Sequence, residues 1–129
     1  MKKIAVIEDN SDIFDPVISE LSKEYEVIQI HTFKEAYNSV DLLRSVDLIL
    51  LDLIMQSKEN DEEMPSPSIT FLHNLREKHN IQCPGIAFSR ITNLSKKITD
   101  NLSPLNVPVV VFESIPPSEL MDIIGSVLT

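Results

Sequence analysis

Residues 46–51, VDLILL, are apolar at every position but one and run straight into Asp52. A strand with apolar side chains on both faces has to be covered on both faces, the condition of a central strand in a parallel sheet. The run therefore demands helices above and below it, and the rest of the chain supplies them. Short apolar stretches at residues 3–7, 26–30, 47–51, 84–88 and 106–112 alternate with amphipathic ones. Phe14, Val17, Ile18 and Leu21 fall at i, i+3, i+4 and i+7, one face of a helix. The same spacing joins Phe33, Ala36, Tyr37 and Val40, and helical faces recur at Ile69, Leu72 and Leu75, at Ile91, Leu94, Ile98 and Leu102, and at Leu120, Ile123, Ile124 and Val127. Pro16 is expected in the first turn of its helix, where a missing N–H costs nothing. Pro116, Pro117 and Ser118 act as stop and cap signals that open the last helix. The order is (βα)5 without an internal repeat or a visible linker, read as a single domain over residues 1–129. Right-handed crossovers then predict an α/β architecture, a doubly wound five-stranded parallel sheet of strand order 2-1-3-4-5.

Composition excludes several classes. With 129 residues, 43% of them hydrophobic, the chain can bury one core but not two of ordinary size. No apolar run approaches the roughly 18 residues that cross a bilayer, and no signal-type apolar segment follows Lys2 and Lys3. A soluble, cytoplasmic protein without membrane contact is expected, and the lone Cys83 agrees with a reducing compartment. Twenty acidic against 11 basic residues give a net charge of −9, which repels a phosphate backbone, so direct nucleic-acid binding is not expected. His31, His73 and His79 show no ligand spacing and read as surface or helix-face residues, and Cys83 as a half-buried small hydrophobe.

In the strand order 2-1-3-4-5 the winding reverses between strands 1 and 3, and ligands bind outside the carboxyl ends of the strands there. Glu8 and Asp9 follow strand 1, and Asp52 follows strand 3. Three carboxylates in one crevice resist joint ionisation unless a cation joins them. Oxygen ligands at a shallow, wet site suit magnesium, which keeps several of its waters. Residues 55–68, MQSKENDEEMPSPS, are acidic and polar, contain two prolines and have no hydrophobic period, so they read as a long, exposed and mobile loop.

Glu8-Asp9, Asp52 in LLDLIM, Ser89 in GIAFSR and the spacing to Leu120 together resemble the receiver domains of two-component response regulators, over essentially the whole chain. The resemblance implies a flavodoxin-like fold and a signalling module rather than an enzyme. It makes Asp52 the phosphoacceptor, Asp9 a direct magnesium ligand, Glu8 a ligand through water and the Ile54 backbone carbonyl a further donor. It gives the Ser89 hydroxyl to the transferred phosphoryl group. The implied partners are a sensor histidine kinase or phosphotransfer protein and a downstream protein, with a homodimer as a further assembly.

The sequence also departs from that family. Glu113 and Ser114 occupy the place of its lysine and proline, so a cation has become an anion beside an acidic site. One extra like-charge pair at about 4 Å and an effective dielectric near 20 costs on the order of 4 kcal/mol. Val111 stands where an aromatic is common, Gln56 replaces the usual proline, and the connection after strand 3 is about eight residues longer than typical. Arg90 follows Ser89 where a small residue is usual, and it is expected to neutralise Glu113 or to reach Asp52 in place of the lysine. Two alternatives stand beside phosphotransfer: a pseudo-receiver that binds partners without it, and a magnesium-dependent phosphohydrolase. The second is disfavoured by the absence of any DxD pair, phosphate-binding glycine loop or nucleophile-histidine set.

Overall fold

The third apolar run becomes a strand buried at all five positions, β3 (Leu48–Asp52). In the computed structural model, which describes residues 2–9, 11–52, 66–89, 109–111 and 117–128, β3 is flanked by β1 (Lys3–Ile7) and β4 (Gly85–Ser89). The edges are β2 (Glu26–Ile30) and β5 (Val109–Val111). All pairings are parallel and the order is β2-β1-β3-β4-β5, the doubly wound topology expected from the sequence. The register sets Ile7 opposite Ile30 on one side and Leu51 on the other, and Asp52 opposite Phe88.

Alternation along the strands sorts the core into two layers. Ile4, Val6, Leu48, Leu50, Ile86 and Phe88 pack with Phe14, Val17 and Leu21 of α1 (Ser11–Leu21) and with Leu120 and Ile124 of the C-terminal helix, α5 (Pro117–Leu128). Ala5, Ile7, Ile49, Leu51 and Ala87 face the other way. They meet α2 (Phe33–Asn38), α3 (Val40–Leu43) and α4 (Ser66–Glu77) through Ala36, Leu43, Phe71, Leu72 and Leu75. Pro117 is the first residue of α5, where its ring fixes the helical φ and no N–H is required.

Three local expectations are corrected. Pro16 is the sixth residue of α1, not a first-turn residue, because the helix already starts at Ser11, four residues after the end of β1. Proline at that depth removes the bond to the Asp12 carbonyl, and the helix persists because Phe14, Val17 and Leu21 are buried against the sheet. The spacing of Phe33, Ala36, Tyr37 and Val40 is divided between two short helices. Thr32 caps α2 by accepting from the Glu35 N–H, and the chain then breaks at Ser39, with φ −112° and ψ 24°. Asn38 and Ser39 compete for backbone hydrogen bonds and are poor helix continuers. Tyr37 is left 37% exposed, its ring edge-on to Phe71. Finally, α4 starts at Ser66, so residues 66–68 belong to a helix and not to the acidic loop, with Pro67 in the first turn where it is tolerated. Residues 55–65, and the helix expected over residues 91–102, lie outside the described residues. Among the described residues no helix is long and apolar enough to cross a membrane.

Cys83 is half-buried against the α2–α4 layer, as its composition-level reading expected. Burial pushes its thiol pKa up from the ordinary value, only partly opposed by the charge and hydrogen bond of Arg76. Its native reaction with iodoacetamide should therefore be slow and should rise at higher pH than in urea, which a pH series of alkylation rates checks. Pro16 offers a second test. An interior helical proline costs about 3 kcal/mol, offset by roughly 1 kcal/mol through a stiffer unfolded chain. Pro16→Ala should accordingly stabilise the protein by about 2 kcal/mol, read as a raised urea midpoint with unchanged slope.

Candidate functional site

The ladder between β1 and β2 continues one step past the strands: the Glu8 N–H donates to the Ile30 carbonyl at 3.0 Å. The same step carried across β1 and β3 sets Glu8 opposite Asp52, which itself stands opposite Phe88. His31, Glu8, Asp52 and Phe88 thus form one row across the carboxyl edge of four adjacent strands. By strand alternation Asp52 follows Leu48 and Leu50 toward the α1–α5 layer, and Glu8 follows Ile4 and Val6. In the same layer the Phe14 and Phe88 rings pack with centroids 4.5 Å apart, tilted by 53°.

Burial is what separates the carboxylates. Glu8 is 0% and Asp52 3% exposed, whereas Asp9, at the bend after β1, is exposed. Taking two carboxylates out of water this close together is costly unless each is met by donors or cations. Glu8 is met by His31, whose Nδ1 lies 3.1 Å from Glu8 Oε1 and 3.3 Å from the Glu8 backbone oxygen. The backbone of Asp52 is held from the opposite layer: the buried Ser68 hydroxyl, in the first turn of α4, donates to the Asp52 carbonyl at 2.8 Å.

Of the residues expected from sequence, the structure brings Glu8, Asp9 and Asp52 to one edge of the sheet. The backbone of Ser89 ends β4 opposite Val111 of β5. Ile54, Arg90, Glu113 and the Ser89 side chain lie outside the described residues. His73 is a helix-face residue, 3.9 Å from Glu77 one turn on, and the His79 carbonyl accepts from Arg44. His31 is exposed, as the surface reading expects, and its Nδ1 lies beside Glu8. Strand order could have revealed this, because the residue after β2 must neighbour the residue after β1. Ser68 gave no such signal, since the register of a helix beyond a long polar connection cannot be read from its sequence.

The donor set is all oxygen, carboxylates at the mouth of a parallel sheet, which fits a hard cation and not a thiophilic one. Among the described residues no group of three or more His, Cys, Asp and Glu side chains is gathered closely enough to hold an ion alone.

A parallel sheet of this order with an acidic row at its switch point is the fold of response-regulator receiver domains. A CheY-like response regulator receiver domain protein from Methanospirillum hungatei JF-1 superposes with a TM-score of 0.75 at 18% identity, covering 99% of this chain and 94% of its own. Chemotaxis protein CheY4 from Vibrio cholerae gives 0.77 at 19% identity, with 98% of each chain covered. An orphan response regulator of Helicobacter pylori gives 0.75 at 15% identity, over 99% and 97% of the two chains. No protein-family model matches the sequence, and neither does any curated protein.

The clamp from Ser68 has a measurable value. Ser68→Ala leaves the buried Asp52 carbonyl without that donor and should destabilise the protein by about 1–3 kcal/mol, checked by chemical denaturation against the parent.

Proposed function

We propose that residues 1–129 form a signal-transduction receiver module that accepts a phosphoryl group at Asp52 and acts by binding another protein. The observation that carries this reading is the buried Asp52 carboxylate at the end of the central strand, next to the buried Glu8 and the exposed Asp9.

In the proposed step an Asp52 carboxylate oxygen attacks the phosphorus of a phosphohistidine. The new O–P bond forms as the P–N bond breaks, and its electron pair returns to the imidazole of the donor. Asp9 and Asp52 would hold magnesium directly, Glu8 would do so through water, and the Ile54 carbonyl would add a donor. Bound there, the ion supplies positive charge against the oxygens of the transferring group. The Ser89 hydroxyl would donate to the same oxygens, and Arg90 would offset Glu113 or substitute for the cation that Glu113 displaces. The partners are a sensor histidine kinase or phosphotransfer protein upstream and a protein target downstream, with a homodimer as a further assembly. On this reading the chain is a switch and not an enzyme.

Glu113 at the usual lysine position favours one rival, a pseudo-receiver that keeps the fold and a binding surface but has no phosphotransfer. Intact mass after incubation with acetyl phosphate and magnesium separates the two. The receiver reading expects a gain of one phosphoryl group that is absent in Asp52→Asn. A parent mass unchanged under all conditions would assign the chain to the pseudo-receivers. A magnesium titration followed by amide chemical shifts should show millimolar binding that Asp9→Ala removes, and an unchanged affinity in that variant would place the ion elsewhere.

A further inference from the structure

Ser68 stands in the first turn of α4, 16 residues beyond Asp52, and is fully buried. Serine hydroxyls on a helix commonly bond the backbone of their own helix, but this one donates across the sheet's edge to the Asp52 carbonyl at 2.8 Å. Ile69, Phe71, Leu72 and Leu75 root α4 in the layer opposite the Asp52 carboxylate, so the hydroxyl reaches the end of β3 from a packed support. The β1 ladder pairs β3 as far as Leu51 and the β4 ladder as far as Asp52, which makes Asp52 the last residue the sheet orders. The peptide group entering Asp52 is thus held by the sheet, and the one leaving it accepts from Ser68. Two held, planar peptides fix φ and ψ of the residue between them. Those angles in turn decide which rotamers its side chain can take.

We infer that Ser68 is a positioning residue for phosphoryl transfer: by holding the Asp52 carbonyl, it fixes the backbone from which the attacking carboxylate projects. The inference rests on the receiver reading of Asp52. With acetyl phosphate as donor, a carboxylate oxygen forms the new bond to phosphorus, the bond from phosphorus to the acetyl oxygen breaks, and acetate leaves with the electron pair. In-line attack depends on where that oxygen points, and a small misplacement of a reacting group is felt in the rate of the bound complex. A serine that served the fold alone would lower stability and leave the rate of the folded molecules as it was. Ser68 acts on both, because the carbonyl it holds belongs to the nucleophile's own residue.

The test follows phosphorylation by acetyl phosphate with magnesium through intact mass, in the parent, Ser68→Ala, Ser68→Thr and Ser68→Cys, at a temperature well below each melting transition. The backbone carbonyl carbon shift of Asp52 reports the hydrogen bond itself. In Ser68→Ala that shift should move and the saturating rate should fall about tenfold, with the half-saturating concentration of acetyl phosphate unchanged. Threonine keeps the hydroxyl and should restore both, and cysteine, near in size but a weak donor, should fall between. If the alanine variant does not fold, the contrast between cysteine and threonine carries the test. A parent-like saturating rate in folded Ser68→Ala would overturn the inference while leaving the receiver reading intact. So would a change confined to the half-saturating concentration, or a rate in both Ser68→Thr and Ser68→Cys no higher than in Ser68→Ala. No mass gain in the parent would overturn both.

Discussion

Burial of β3 on both faces is the constraint from which the rest of the molecule follows. Its five residues admit no water from either side, so two helical layers are obligatory, and each must bring its own apolar face. The strand does not stop at its apolar residues, however. Asp52 is its last member and is carried into the same enclosure, 3% exposed, because the ladder to Phe88 continues to that point. The packing that makes the fold therefore also fixes the position of the acid, and the neighbouring strand does the same for Glu8.

That placement divides the work of holding Asp52 between the two layers. Its carboxylate lies in the alternation that leads to α1 and α5, the layer that holds the tilted Phe14–Phe88 ring pair. Its carbonyl is held by Ser68 of α4, in the opposite layer. The acid is thus referenced to both sides of the sheet at once. Glu8 is referenced laterally instead, through its N–H to Ile30 and its contacts with His31, both reached from β2. The backbones of the two acids are thus held from α4 and from β2.

How much of this the sequence disclosed depended on how local the determining interaction was. The strand order, and with it the placing of Glu8, Asp9 and Asp52 at one edge of the sheet, was legible, because it follows from period-2 runs, helical spacing and the handedness of crossovers. Pro16 was misplaced because proline's preference for a first turn is weaker than the burial of Phe14, Val17 and Leu21, which starts the helix earlier. The division at Ser39 was hidden for the converse reason: apolar spacing ran straight through Asn38 and Ser39, two residues of low helix propensity. The contact between His31 and Glu8 is not visible in spacing along the chain, because it is made across strands. Ser68 was illegible altogether, since a buried hydroxyl is recognised by the carbonyl it meets, and that meeting depends on where α4 lands after the connection from β3.

Stability alone does not explain the acidic row. A buried ionic arrangement replaced by apolar side chains of similar volume is often as stable or more so, because desolvation can exceed the attraction recovered. Leucine or valine at positions 8 and 52 would extend the apolar columns of Ile4 and Val6, and of Leu48 and Leu50, without interruption. The chain instead ends both columns in carboxylates and adds a third, Asp9, at the exposed bend, although its net charge of −9 already disfavours further negative charge. Surface acids could be attributed to solubility, but Glu8 and Asp52 are withdrawn from solvent and cannot serve it. On the receiver reading proposed above, carboxylates at this edge are kept for the cation and the phosphoryl group they would bind. Glu8 and Asp52 depart from the apolar pattern of their columns at the topological switch point where α/β folds carry their chemistry.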